Sequence, residues 1–186
     1  MITVIAGTNR PNAYSLKVAR LIAQILNDSG AAAQTLSLED IPQDLAASGM
    51  YGRVNEDFIA KVDPQVVDAS ALIIVAPEYN GSFPGILKTF LDALPAKSGW
   101  KAIADMPIML VGVASGRAGN IRGIDHLTSV LHYMGAEVYS GNMTLPGVNK
   151  LISEEGEWLA GSEGAKETLV QRLEAFTRFA RIVANS

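Results

Sequence analysis

There is no cysteine in the 186-residue chain. Disulfide frameworks, thiolate nucleophiles and zinc–cysteine sites are excluded together, and the lack suits a reducing compartment. Histidine is almost as scarce. His126 and His132 are the two that occur, and a spacing of six does not bring two imidazoles to one helix face. They are expected as buried or interface side chains, with no metal pair and no metal site. Neither a Ser–His–Asp set nor a paired-carboxylate motif is visible, so no single catalytic side chain is expected. Excess positive charge is missing too: 15 Lys and Arg stand against 19 Asp and Glu, for a net charge of −4. A basic face able to neutralise a run of phosphates is absent, which argues against nucleic acid as a partner. No apolar run approaches the roughly 18 residues a membrane helix requires. The first residues, Met1 to Gly7, are apolar but carry no basic segment, so they read as a strand and not as a signal peptide. A cytoplasmic protein without a membrane partner is expected.

What is present is ordinary globular material. Apolar residues make up 48% and charged residues 18%, and the length suits one domain spanning 1–186. Three short apolar runs, Ile2 to Ala6, Ala71 to Ala76 and Ile108 to Ala114, are rich in Val and Ile without alternation. Such runs suit strands covered on both faces, as in parallel sheets. Ala33 to Leu38 and Glu137 to Leu145 are weaker strand candidates. Between them, Ser15 to Asp28 puts Leu16, Ala19, Ile22, Ala23 and Leu26 on one stripe, with Gly30 as the stop. Gly85 to Leu94, Ile121 to Met134 and Gly164 to Ala184 repeat the amphipathic arrangement. Alternating strands and helices predict a doubly wound α/β domain with helices on both faces of the sheet. Glu39 to Pro64 is the longest irregular stretch, expected as a loop and a candidate flap beside a site.

In such folds ligands sit beyond the carboxyl ends of the strands. The three strongest strands are each followed by a specialised loop: 7–15, 77–85 and 115–120. All three are expected on one rim of the sheet. The first enters a helix near Ser15, where unpaired N–H groups and the helix dipole attract a phosphate. Thr8 and Ser15 add hydroxyls, and Arg10 adds a forked cation. A terminal phosphomonoester suits this set. The loop matches neither the Walker A pattern nor the dinucleotide fingerprint of Rossmann enzymes. The same residues equally suit a plain turn in which Ser15 caps the helix and Arg10 is solvated.

The second loop and the helix after it read Pro77-Glu78-Tyr79-Asn80-Gly81-Ser82-Phe83-Pro84-Gly85-Ile86-Leu87-Lys88-Thr89-Phe90-Leu91-Asp92. This run resembles the NADPH-dependent FMN reductase family, which includes flavin, quinone, azo-dye and chromate reductases. The resemblance implies a flavodoxin-like three-layer sandwich, a five-stranded parallel sheet in the order 2-1-3-4-5 with helices on both faces. It also implies that Pro77, Glu78, Tyr79 and Asn80 hold the isoalloxazine ring. Independently, Pro77 and Pro84 stiffen the loop and Gly81 and Gly85 free its backbone, so that fixed N–H groups could meet the polar edge of a flavin. Lys88 and Asp92, four apart, are expected to pair across the helix surface. Phe83 is expected at a subunit contact, with stacking on a ligand as the alternative.

Ser115-Gly116-Arg117-Ala118-Gly119-Asn120 resembles the family's turn after the fourth strand, which implies that Ser115 and Gly116 approach the pyrimidine side of the flavin. Arg117 suits the phosphate of NADPH and equally suits solvent, as does Arg122. The first loop departs from the family pattern: Thr8 replaces a serine, and Ser15 stands two residues later than the family's second serine. By resemblance the phosphate role falls to Thr8, Arg10 and Ser15, then to the backbone of Leu16 and Lys17. The implied activity is hydride transfer from NAD(P)H through bound FMN to a small-molecule acceptor: flavin, quinone, azo compound or chromate. A flavodoxin-type electron carrier is the alternative, disfavoured by Arg10 and the modest net charge. A module that has lost its flavin is a third, disfavoured by the intact second loop. The resemblance further implies a homodimer or homotetramer.

Overall fold

The computed structural model describes residues 1–46, 56–94 and 102–185. The three apolar runs form β1 (Ile2–Ala6), β3 (Ala71–Pro77) and β4 (Pro107–Ala114), and Ala33–Ser37 forms β2. All neighbours pair in parallel, in the order β2-β1-β3-β4 and then β5, as expected for the flavodoxin arrangement. The register places Ile5 beside Leu36 on one side and Ile74 on the other. Ala6 and Ser37, the ends of β1 and β2, therefore stand level with Val75, and β3 runs two residues further to Pro77 on the same rim.

The fifth position differs from expectation. Instead of one strand over 137–145, two short ones pair with β4: β5 (Glu137–Val138) and β6 (Met143–Pro146). The cause is local. Between them lies Ser140-Gly141-Asn142, and Asn142 Oδ1 accepts the Leu110 N–H at 2.7 Å. A side-chain amide thus replaces a strand carbonyl for one rung. Gly141 is required there, because a Cβ would run into the Tyr139 ring.

Period-two alternation sorts the strands between two cores. On one face Val4, Ile73, Val75, Met109 and Val111 pack against α1 (Tyr14–Asp28) and the last helix, whose Leu169, Leu173 and Phe176 point into the cluster. On the other, Ile5, Leu72, Ile74, Ile108 and Leu110 meet α2 (Glu56–Val62), α3 (Gly85–Ala93) and α4 (Ile121–Tyr133). The last helix is α5 (Glu163–Val183). Helix bounds match the expected stripes to within one residue at either end.

The stretch 39–64 is less irregular than expected. Leu38–Asp40 and Gln43–Ala46 form short 3₁₀ turns, then α2 begins at Glu56 and runs into a wide turn at Asp63–Val67. Phe58, Val62 and Val66 anchor this segment in the core, with Phe58 edge-on to Phe90 at 6.0 Å. The rest of the flap candidate, 47–55, lies outside the described residues.

Candidate functional site

Beyond the carboxyl ends of β1, β3 and β4 lies a cavity of about 700 Å³, within the range of small-ligand and cofactor sites. Loops 7–15, 77–85 and 115–120 all contribute to its walls, and the segment after β6 adds Val148, Asn149 and Glu154. Of the residues singled out from sequence, Thr8, Arg10, Ser15, Pro77, Glu78, Tyr79, Ser115 and Gly116 line it. Leu16, Lys17 and Asn80 do not.

The first loop leaves β1 through Gly7, where backbone approaches backbone closely. Its N–H donates to the Val75 carbonyl at 2.9 Å, and a Cβ would stand 3.0 Å from that same oxygen. Helix α1 starts at Tyr14, one residue earlier than expected. The Leu16 and Lys17 N–H groups are consequently directed to the Ala13 carbonyl at 3.0 and 3.3 Å, so the orphan donors of the helix start shift upstream, to Tyr14 and Ser15. Ser15 is not a cap: no side chain caps this terminus. Its Oγ lies buried at the cavity wall, 1% of the residue being exposed, with no hydrogen-bond partner. A buried hydroxyl without a partner is costly, and one that lines a cavity at a helix N-terminus has the placement a bound phosphate would satisfy. Arg10 is exposed at the same rim and forms no ion pair among the described residues. The donor set fits a phosphomonoester.

The second loop is a two-residue hairpin. Tyr79 and Ser82 exchange N–H···O bonds at 2.9 and 3.1 Å, and Asn80 and Gly81 both take positive φ, 52° and 77°. This is the Asn-Gly turn whose twist matches its flanks. The N–H groups of Glu78 and Tyr79 are engaged inside the protein, by Val113 O at 3.2 Å and Ser82 O. Asn80 forms the exposed hairpin tip away from the cavity lining. Tyr79 bridges two loops: its hydroxyl lies 2.9 Å from Thr8 Oγ1, which also accepts the Arg10 N–H at 3.3 Å. That bond fixes a flat aromatic ring beside the cavity. Phe83 packs against the α3–α4 core instead of the cavity, and Lys88 and Asp92 pair at 2.6 Å on the surface, as expected.

The third loop is braced from beneath. Gly112 in β4 must lack a side chain, because a Cβ would collide with the Gly119 carbonyl. Asn120, fully buried with φ 70°, donates from Nδ2 to the Ala76 carbonyl at 2.9 Å and ties this loop to the end of β3. Gly123 makes room for it, since a Cβ there would overlap Asn120 Oδ1. Above this brace Ser115 and Gly116 are exposed to the cavity, and their N–H groups enter no hydrogen bond among the described residues. Two adjacent donors of this kind suit an oxygen-bearing ring edge. Arg117 and Arg122 stay outside the lining.

Sequence reasoning missed Asn120, whose run Gly119-Asn120 signals a left-handed turn but not its buried amide. It also missed the segment past Leu145. There Gly147 donates to Gly116 O at 3.2 Å, and Glu154 reaches the first turn of α1. Glu154 Oε1 accepts the Tyr14 hydroxyl at 2.8 Å and Oε2 accepts Lys17 Nζ at 2.5 Å. The Lys17 ammonium, and then the Tyr14 hydroxyl, hold the Glu154 carboxyl below the usual carboxylate range. In return, the bond to Glu154 raises the Tyr14 phenol above its ordinary value. The histidines are exposed and not buried. His126 Nδ1 lies 2.9 Å from Ser82 Oγ, tying α4 to the second loop. Among the described residues no group of acidic or histidine side chains has the arrangement of a metal site.

Comparison with known proteins agrees with this geometry. The model of the NADPH-dependent FMN reductase family matches residues 1–149. A quinone reductase of Escherichia coli is 29% identical over 96% of this chain and 94% of its own. An FMN reductase (NADPH) of Pseudomonas aeruginosa is 27% identical over 59% of this chain and 56% of its own. Among solved structures, the flavoenzyme NAD(P)H:(acceptor) oxidoreductase FerB of Paracoccus denitrificans superposes with a TM-score of 0.77 at 17% identity, over 97% and 96% of the two chains. A flavodoxin of Pseudomonas aeruginosa gives 0.58 at 15% identity, over 95% of this chain and 98% of that one. The chain belongs to the NADPH-dependent FMN reductase family, and is a flavodoxin-fold oxidoreductase that works with FMN and a reduced nicotinamide.

Proposed function

We propose that this chain reduces small neutral acceptors of the quinone class. The support is the naming of its relatives as quinone reductases and a cavity whose walls carry two aromatic rings, Tyr14 and Tyr79, beside three charged side chains, Arg10, Glu78 and Glu154. The observation that carries the cofactor's placement is the buried, unpartnered Ser15 hydroxyl at the start of α1, in the wall shared by all three loops.

In this proposal Ser15 Oγ, the Tyr14 and Ser15 N–H groups and Arg10 hold the phosphate, with Thr8 keeping the loop in shape. Tyr79 flanks the ring, its hydroxyl anchored on Thr8. The Ser115 and Gly116 N–H groups meet the pyrimidine edge, where donors favour the negative charge of a reduced ring. Pro77 and Glu78 supply wall and rigidity, not donors. FMN held there would supply two-electron redox chemistry between a reduced nicotinamide and the acceptor. The protein orients the ring, excludes water from its covered face and leaves the other open.

The whole chain is proposed to act as one domain, since both cores run the length of the sheet. A homodimer or homotetramer is proposed as well. Its support is a groove of about 390 Å³ between α3 and α4, with Leu91, Val130 and Met134 in its walls and Tyr133 84% exposed at its edge. Light scattering after gel filtration tests this, and a monomer at micromolar concentration would refute it. The activity is tested by steady-state oxidation of NADPH and NADH by FMN-loaded protein against a quinone, an azo dye, chromate and free FMN. Fast turnover with quinone is expected. Turnover only with an added reductase protein would instead mark an electron carrier.

A further inference from the structure

The match to the family stops at residue 149, yet the cavity wall continues to Glu154. Past β6 the chain folds into a small, rigid hairpin. Ile152 and Trp158 pair in antiparallel fashion, and Ser153 caps the tip by accepting the Glu155 and Glu157 N–H groups on Oγ, each at 3.2 Å. Ser153 N–H donates to Glu157 O at 2.8 Å, closing the tip. The hairpin does not stand free. Glu154 clasps Tyr14 and Lys17, and Gly156, at φ 89°, lies over Lys17, where a Cβ would make ordinary van der Waals contact with the Lys17 Cβ at 3.5 Å. Both clasped residues belong to the first turn of α1, the turn that carries the unpartnered Ser15 hydroxyl.

Resting on the FMN placement above, we propose that the 152–158 hairpin, locked onto α1 by Glu154, is the cofactor-length determinant: it closes the phosphate end so that a flavin ending in a monoester fits and a dinucleotide does not. A monoester ends within the cradle of Arg10, Ser15 and the helix start. A pyrophosphate must continue past it, toward a wall bearing the Glu154 carboxylate, with Glu155 and Glu157 on the same tip. Lys17, the cation that could have met a second phosphate, is already engaged by Glu154. Bulk and charge therefore act in the same direction, the charge part being moderated by solvent because Glu154 is 74% exposed.

The test titrates flavin-free protein with FMN, FAD and riboflavin, following flavin fluorescence, for wild type, E154Q and E154A. Wild type is expected to prefer FMN over FAD by at least about tenfold, equivalent to about 1.4 kcal/mol. E154A, which frees the hairpin and removes its charge, should narrow that preference about tenfold by tightening FAD while FMN changes by less than about threefold. E154Q should fall between, and decides the matter by itself if E154A does not melt cooperatively. Equal affinity of wild type for FMN and FAD overturns the proposal while leaving the FMN site intact. An unchanged preference in the variants, or equal loss of both flavins, overturns it too. Failure of wild type to bind any flavin would overturn the FMN placement itself, and the length determinant with it.

Discussion

Removing the Ser15 hydroxyl should move two measurements in opposite directions. In the flavin-free protein Ser15 Oγ is buried without a partner, a state that costs about 1–3 kcal/mol. Alanine in the first turn of α1 also favours the helix by a few tenths of a kcal/mol over serine. Ser15→Ala should therefore stabilise the free protein by about 1 kcal/mol or more, a rise in Tm of about 2–4 °C per kcal/mol for a chain of this size. FMN binding should respond the other way. A hydrogen bond to a charged phosphate is worth about 1.5–3 kcal/mol, so FMN should weaken by about 10- to 150-fold. Riboflavin has no phosphate and should bind as before. Calorimetric melting of the flavin-free variant, with titrations of FMN and riboflavin, reads all three quantities. A lower Tm would mean the hydroxyl is satisfied within the protein. Equal changes for FMN and riboflavin would mean it does not face the phosphate.

Arg10→Ala should weaken FMN by about 1.5–3 kcal/mol and leave riboflavin nearly untouched; parallel losses in the same titrations would remove Arg10 from the phosphate cradle. Gly112→Ala should destabilise by about 1–3 kcal/mol or more, since its methyl would collide with the Gly119 carbonyl; an unchanged denaturant midpoint would show that the third loop is not braced on β4. The Glu154 clasp has a defined pH dependence. Its carboxyl titrates below the ordinary 4.5 because Lys17 and Tyr14 bind the anion, so its contribution is complete above the unfolded value and is lost as pH falls through the lower folded one. The Gly156 amide resonance should hold steady around neutrality and move only in acid below 4.5; movement near neutral pH would contradict the clasp.

Much of this was legible in the residues because burial on both sides of a parallel sheet leaves a strong mark. Ile2 to Ala6, Ala71 to Ala76 and Ile108 to Ala114 could hardly be anything but central strands, and their loops had to emerge on one rim. The fifth strand was illegible for an equally physical reason: Asn142 supplies by side chain the acceptor that a strand supplies by backbone, and apolar patterning does not register such a replacement. Pro77, Pro84, Gly81 and Gly85 announced a stiff loop, but only the Tyr79–Ser82 pairing revealed that the Glu78 and Tyr79 donors were already taken. The exposure of the histidines was readable after all. With Ile124, Leu127 and Leu131 directed at the sheet, positions 126 and 132 fall off that stripe. Glu154 could not be foreseen, because nothing local to Ser153-Glu154-Glu155 points to a helix that begins 140 residues earlier.

The donors around the cavity divide into two kinds, and the division explains how the site can be rigid before it binds anything. Glu78, Tyr79, Leu16 and Lys17 give their N–H groups to carbonyls of the protein itself, and Asn120 gives its amide to Ala76. These bonds set the spacing of the three loops and leave nothing for a ligand. Ser15 Oγ and the Ser115 and Gly116 N–H groups keep their hydrogen-bonding capacity, and they lie in the first and third loops, with the Tyr79 ring lining the same cavity. A ligand that meets both sets must carry polar groups at its two ends and a flat apolar body across its middle. Because the frame is fixed by bonds that the ligand does not share, those donors need not reorganise as charge builds on the ring. The second loop, despite being the most recognisable in sequence, thus commits its Glu78 and Tyr79 donors to the frame, and in the proposed placement affinity comes mainly from its two neighbours.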